Sequence, residues 1–357
     1  MTSHSDLSPV YLTDRTTIET DWDCGMKRWW YKEEGGTGIV PLATAAPLRE
    51  GVEVHDAFAA VASLPDLRGL GEILPPAPSS QVELETWARL TGWMTALATW
   101  VEPRWRAEGE TIAIEREYVL DRSPLWVACT PDRVVRRHDG SLIYREFKST
   151  NAKDTTKWAA YWPSAIQLHV GILALLEAEG VERAVAQVTG MTKGYEMKGL
   201  LRHPYTYAYA GPNGQWQREY KYGWDLVGTW EYPGGPSAWA LNLGEATAAE
   251  VFPQSHVVYL NRRLTELMLA QRLEREREVA HVRAMAQKDP EMRARYFEQR
   301  FTRCKPAFGF PCPYYSACHN ASVAAEPLLS GEYIRRVPHH DLERVKLFDE
   351  LGEGTGA

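Results

Sequence analysis

Apolar positions recur at intervals of three and four along residues 81–107, where Leu84, Trp87, Leu90, Met94 and Leu97 share one side. That period predicts an amphipathic helix. Beyond it the pattern changes. Ile112, Ile114 and the stretch to Leu120 alternate with charged residues, which predicts a strand. Residues 125–129 (LWVAC), 132–137 (DRVVRR) and 141–148 (SLIYREFK) keep that character. His138-Asp139-Gly140 between the last two is a turn signal, so 132–148 is expected to form a β-hairpin. Residues 158–179 return to helical spacing, with Ile166, Val170, Leu173 and Leu176 on one face and Gly180 as a stop. A further strand is expected over 184–190 (AVAQVTG). Strand, hairpin, helix and strand in that order describe an α/β core with a central mixed sheet flanked by helices.

Outside this core, residues 74–80 (LPPAPSS) read as a loop. Residues 203–240 carry Tyr205, Tyr207, Tyr209, Trp216, Tyr220, Tyr222, Trp224, Trp230 and Trp239 among glycines, a pattern of short strands and hairpins. Such aromatics either fill a core or stack on single-stranded bases. A charged helical segment over 256–302, interrupted near Pro290, balances Arg against Glu and reads as a solvated face.

Composition narrows the class. At 357 residues, 44% hydrophobic and 24% charged, the chain has the material for a packed core of one large or two modest domains. It has no apolar run of eighteen residues and its N-terminal stretch lacks a signal-peptide pattern, so a cytoplasmic protein with no membrane partner is expected. A net charge of −7 excludes wholesale electrostatic coating of nucleic acid but leaves room for a local basic channel. Lys27, Arg28 and Lys32, interleaved with Trp29, Trp30 and Tyr31, are the leading candidates for one that also stacks bases; Arg335 and Arg336 are others.

The hairpin carries the chemistry. If its turn centres on Asp139, positions whose numbers sum to 278 face each other, which pairs Asp132 with Glu146. Directly opposed residues have Cβ atoms about 4.5–5.5 Å apart, close enough for two carboxylates to share one divalent cation. The two-residue period of a strand puts Lys148 on the face of Glu146. Phosphodiester hydrolysis wants such a set: hard oxygen ligands for Mg²⁺ or Mn²⁺, and a lysine to orient the attacking water or stabilise developing charge. The backbone carbonyl of Phe147 would be a further ligand. A turn shifted by one residue would break the pairing, and E-x-K alone also suits an ordinary salt-bridged surface.

Of five cysteines, Cys24 stands near the start, Cys129 lies in a predicted strand, and Cys304, Cys312 and Cys318 cluster late as C-x7-C-x5-C. Four thiolates from both chain ends would select an iron–sulfur cluster or zinc. The absence of a paired C-x2–4-C knuckle favours iron–sulfur. Pro306, Pro311 and Pro313 would stiffen the wrapping loops. The alternative is a set of unrelated core thiols, the reading taken for Cys129.

Pro131-Asp132…Glu146-Phe147-Lys148 resembles the motif of PD-(D/E)XK nucleases, and TPDRV…EFKST resembles their RecB-type branch. Gly51-Val52-Glu53-Val54-His55 matches that branch's upstream histidine. The resemblance implies a restriction-endonuclease-like core in which His55 joins Asp132, Glu146 and Phe147 at the metal and Lys148 assists catalysis. Gln167 matches the start of a Q-x-x-x-Y motif and is implied as a substrate contact, but Gly171 stands where the tyrosine would be. One early and three late cysteines are similar to the AddB and CRISPR-associated RecB-like nucleases, which hold a 4Fe-4S cluster, although their middle spacing is C-x2-C. The resemblance further implies an exonuclease on single-stranded DNA ends in recombination, repair or CRISPR adaptation. A separate helicase, recombinase or adaptation protein would be its partner, since no Walker A loop is present. The layout expected is one nuclease domain over 1–325. It comprises an iron–sulfur lobe (24–60 and 256–325), a helical insertion (61–110), a catalytic core (111–200) and an aromatic-rich β insertion (201–255), before a tail at 326–357. A catalytically silent DNA-binding module and a zinc-stapled, RNA-directed nuclease are the alternatives.

Overall fold

A computed structural model of the chain describes residues 11–42, 46–76, 81–150, 155–192, 207–210, 216–219, 245–304, 312–338 and 340. The chain forms two compact units. One comprises Met1–Ala46, Glu117–Thr130 and Asn261–Ala357, and the other Pro47–Arg116 and Pro131–Leu260. The strand anticipated from Ile112 to Leu120 is two strands in two sheets, β3 (Gly109–Ile114) and β4 (Tyr118–Arg122). Between them Glu115 takes φ +46°, a left-handed backbone that non-glycine residues rarely adopt.

In the first unit, β1 (Tyr11–Asp14) pairs in parallel with β5 (Leu125–Cys129), which pairs antiparallel with β4. A two-stranded sheet joins β2 (Ile39–Pro41) to β12 (Tyr333–Arg335), so part of the expected C-terminal tail is built into the fold. Asp14 caps the helix Arg15–Asp23 by accepting from the Thr17 N–H at 2.8 Å and the Thr17 hydroxyl at 2.7 Å. The charged segment becomes a 27-residue helix, Arg262–Lys288, capped by Asn261. Asp289 and Pro290 then start a new helix, Pro290–Tyr296, with the proline where its missing N–H costs nothing.

The charged helix is not simply solvated. Arg28, Glu33, Arg272 and Glu276 are buried together, with Asp21 completing the network. Burial would push the Glu276 carboxyl up, but Arg28, Arg272 and Lys32 hold it down at about 2. Around this network lies a core of Cys24, Met26, Trp29, Trp30, Val279, Phe297 and Tyr314.

The second unit is built on a five-stranded mixed sheet in the order β11-β8-β7-β6-β3. Here β6 is Arg133–Arg137, β7 Leu142–Thr150, β8 Ala184–Thr192 and β11 Val258–Tyr259. β7 and β8 are parallel; the other neighbours are antiparallel. Two further strands, β9 (Tyr207–Ala210) and β10 (Trp216–Glu219), pair with each other within the aromatic-rich segment. The remainder of 203–240 and residues 77–80 of the expected loop lie outside the described residues.

The hairpin turn falls where its residues predict: Asp139 accepts from the Ser141 N–H at 3.0 Å, and Gly140 supplies φ +80°. Alternation along β7 then sorts its side chains. Phe147 enters a core with Val54, Phe58, Trp93, Leu97, Trp105 and Phe252, its ring stacked on Phe58 with centroids 4.5 Å apart. Tyr144 faces the opposite way, against Gly171 of the helix Ile166–Ala178. Every residue of that helix from Ile166 to Leu175 is buried, which explains its near-continuous apolar run. The helix expected over 158–179 is two, Thr155–Tyr161 and Ile166–Ala178, because Pro163 interrupts it. Among the described residues no single helix is long and apolar enough to cross a membrane.

Candidate active site

The register of the hairpin assembles the site. β6 and β7 pair Arg133 with Arg145 and Val134 with Tyr144, so paired numbers sum to 278. β3 meets β6 with Ile114 opposite Arg133. Glu115 and Asp132 stand immediately outside β3 and β6; carried one residue past the strand ends, both registers align Glu115 with Asp132 and Asp132 with Glu146 of β7. Two backbone links fix the row. The Glu115 N–H donates to the Asp132 carbonyl at 3.3 Å, and the Phe147 N–H donates to Asp132 Oδ2 at 2.5 Å.

The helix Ala46–Ser63 adds the histidine. Val54, Phe58 and Val61 anchor it in the core, and His55, half-buried, points Nδ1 at Asp132 Oδ1, 3.3 Å away. One ligand atom each from His55, Glu115 and Asp132 lie within 4.8 Å of one another. Nothing in the sequence singles out Glu115. It follows an alternating strand as one more charged residue, and only the register reveals that it stands opposite Asp132. Partial burial and the Asp132 carboxylate push its carboxyl up, His55 opposing them. Two carboxylates forced together beside an imidazole are a donor set of the hard and borderline type that divalent cations take.

Glu146 is fully buried and is not part of that tight trio. Its Oε1 accepts from Lys148 Nζ at 2.5 Å and its Oε2 from the Tyr144 hydroxyl at 3.1 Å. Phe147 offers its N–H to Asp132 and its ring to the core. Behind the row, buried Arg133 and Arg145 flank Trp105 and pair with Glu102 at 2.6 Å and Glu108 at 2.5 Å. Burial lowers the Arg145 guanidinium to about 10, with Arg133 adding to the shift and Glu108 opposing it. Gln167 is buried in the first turn of its helix.

The expected stacking surface is corrected. Arg28, Trp29 and Trp30 are 0–1% exposed and cannot lie against a substrate. Apolar indoles bury more favourably in the first unit's core, where Arg293 sits 5.1 Å from the Trp29 ring and 5.3 Å from Trp30. Lys27 remains half-exposed, paired with Asp23 at 3.0 Å.

The expected cluster ligands Cys24, Cys304, Cys312 and Cys318 all belong to the first unit. No disulfide joins any of the five cysteines, and Cys129 is a buried residue of β5. Gly25 lets the chain beside Cys24 pass within van der Waals contact of Phe297 and Glu298, since a Cβ there would lie 2.8 Å from the Glu298 nitrogen. The Arg300 N–H then reaches Cys24 Sγ at 3.4 Å. Gln299 Nε2 approaches Cys304 Sγ at 3.5 Å, Trp30 Nε1 donates to Cys318 Sγ at 3.1 Å, and the Cys312 N–H donates to the Cys304 carbonyl at 2.9 Å. Burial pushes the Cys318 thiol up to about 12; the Trp30 donor opposes this, and Cys312, Cys24 and Cys304 add to it. Among the described residues no three thiols gather within 4.8 Å.

No family model matches this chain, and no curated protein matches it.

Proposed function

We propose that the chain is a metal-dependent DNA nuclease of the PD-(D/E)XK type, RecB-like branch, with a restriction-endonuclease-like core and an iron–sulfur lobe. The observation that supports it most is the row Glu115–Asp132–Glu146, with His55 beside one carboxylate and Lys148 on another. His55, Asp132 and Glu115 fit a divalent cation, and Glu146 extends the set from the neighbouring strand. Mg²⁺ or Mn²⁺ held there would polarise a phosphate oxygen and neutralise its charge. Lys148, held by Glu146, would orient the attacking water and stabilise the charge that builds on the phosphate. Gln167 in the second unit, and separately Lys27 in the first, are the remaining candidates for substrate contact.

The donor chemistry of Cys24, Cys304, Cys312 and Cys318 fits a 4Fe-4S cluster. Each is free, and N–H donors aim at three of the sulfurs. The cluster's role would be structural, because hydrolysis transfers no electrons.

The favoured substrate is a single-stranded DNA end, in recombination, repair or CRISPR adaptation beside a separate helicase, recombinase or adaptation protein. Anaerobically purified protein mixed with linear and circular single-stranded DNA, in Mn²⁺ or EDTA, tests this. Degradation of the linear form alone, only with metal, is expected. Cutting of the circle would make it an endonuclease, and no cutting of either would refute the nuclease reading.

A further inference from the structure

Glycine in a helix interior lowers helix stability, and Gly171 lies in the middle of the buried helix Ile166–Ala178. The structure supplies its reason. A Cβ at Gly171 would lie 2.4 Å from Cε2, 2.9 Å from Cδ2 and 3.0 Å from Cζ of Tyr144. The glycine is therefore the space that the Tyr144 ring occupies. The ring in turn aims its hydroxyl at Glu146: the O–H donates to Oε2 at 3.1 Å, while Lys148 Nζ takes Oε1 at 2.5 Å. Tyr144 and Glu146 are both fully buried, and strand alternation puts Tyr144, Glu146 and Lys148 on one face of β7.

A buried carboxylate with a donor on each oxygen is held in its orientation. We propose that Tyr144 is a positioning residue for Glu146, fixing the carboxylate that stands in register with Asp132, and that Gly171 is the space this requires. The proposal rests on the nuclease reading for the cation's purpose but not for the contact itself. A Glu146 free to rotate would present its oxygens to the cation only part of the time. Cation affinity and turnover would then fall while DNA affinity, set elsewhere, would not.

Two variants separate this role from packing. Tyr144→Phe keeps the ring and removes the hydroxyl; Gly171→Ala keeps the hydroxyl and displaces the ring. Mn²⁺ affinity is measured by calorimetry, and kcat and KM on single-stranded DNA are measured alongside it. The expected result for Tyr144→Phe is an unchanged melting temperature within a few degrees, Mn²⁺ binding weakened three- to tenfold, and kcat reduced about tenfold at constant KM. Gly171→Ala should move the same quantities in the same direction, and the double variant should be no worse than the poorer single, because both break one contact. Unchanged Mn²⁺ affinity in Tyr144→Phe, or a wild type that binds no Mn²⁺, overturns the proposal. Multiplying effects in the double variant overturn the part given to Gly171. Wild type that binds Mn²⁺ yet cleaves no DNA refutes the nuclease reading, and the Mn²⁺ affinities then still decide Tyr144.

Discussion

Asp132 accepts the backbone N–H of Phe147, 2.5 Å from its Oδ2, so the carboxylate just ahead of one hairpin strand is tied to the middle of the other. Its second oxygen faces His55. One side chain therefore serves the backbone with one atom and the candidate metal centre with the other.

Asparagine can keep the first duty and not the second. Asp132→Asn retains an oxygen for the Phe147 N–H and should melt within a few degrees of wild type. Its metal-dependent cleavage should fall at least 100-fold. Asp132→Ala should lose both, with a stability cost of about 1–3 kcal/mol for the orphaned N–H. Full activity in Asp132→Asn would remove Asp132 from the metal set.

Glu115 predicts a pH effect of definite sign. Its carboxyl is pushed up by burial and by Asp132, so ionising it costs the fold something. A group whose folded pKa is raised contributes stability below its unfolded pKa and loses it as pH rises through the folded one. Metal-free Glu115→Gln should therefore gain on wild type as pH rises from about 4.5, and gain nothing below that. The rise in melting temperature that Mn²⁺ gives the wild type should shrink in the variant. An identical Mn²⁺ response in both proteins would show that Glu115 holds no cation.

The buried network of the first unit has the opposite sign. Burial works against the Glu276 carboxylate, but Arg28, Arg272 and Lys32 hold its pKa at about 2. Stability from a depressed carboxyl is present above the unfolded pKa and is lost as pH falls toward the folded one. Acid unfolding of the wild type should set in below about pH 4.5 and steepen toward pH 2. Glu276→Gln leaves Arg28 short of a buried partner and should cost roughly 3–5 kcal/mol at neutral pH. Its stability should vary less over that acid range. Denaturant melts at a series of pH values check both statements.

For the cysteines, the expected preparation is brown, with iron and sulfide in equal amounts. Single alanine substitutions at Cys24, Cys304, Cys312 or Cys318 should bleach it, and Cys129→Ala should leave the colour intact. A colourless protein with one zinc per chain would replace the iron–sulfur reading with a zinc staple.

The hairpin is the most legible part of the chain. The signal His138-Asp139-Gly140 sets the turn, the turn sets the register, and the register puts Asp132 and Glu146 on facing positions. Glu115 is not legible, because its place depends on how β3 meets β6, a pairing of strands whose ladder shifts between Thr111 and Ala113. The same long-range pairing takes Glu117–Thr130 out of the expected core, since β5 joins β1 rather than the five-stranded sheet. Trp29 and Trp30 mislead for a different reason. Aromatic residues beside Lys27 and Arg28 suit a nucleic-acid surface in sequence, but Arg28 itself is sequestered by Glu33 and Glu276 and takes its neighbours inward.

The most direct test of the central claim compares wild type with Lys148→Ala on end-labelled single-stranded DNA in Mn²⁺. Lys148 is partly exposed, so the alanine variant should fold, and with His55, Asp132 and Glu115 intact it should still bind Mn²⁺, though more weakly because Glu146 loses one of its two donors. Wild type should degrade the DNA, EDTA should abolish this, and the variant should lose at least 100-fold. Equal degradation by both proteins, or none by well-folded wild type with Mn²⁺ bound, would contradict it.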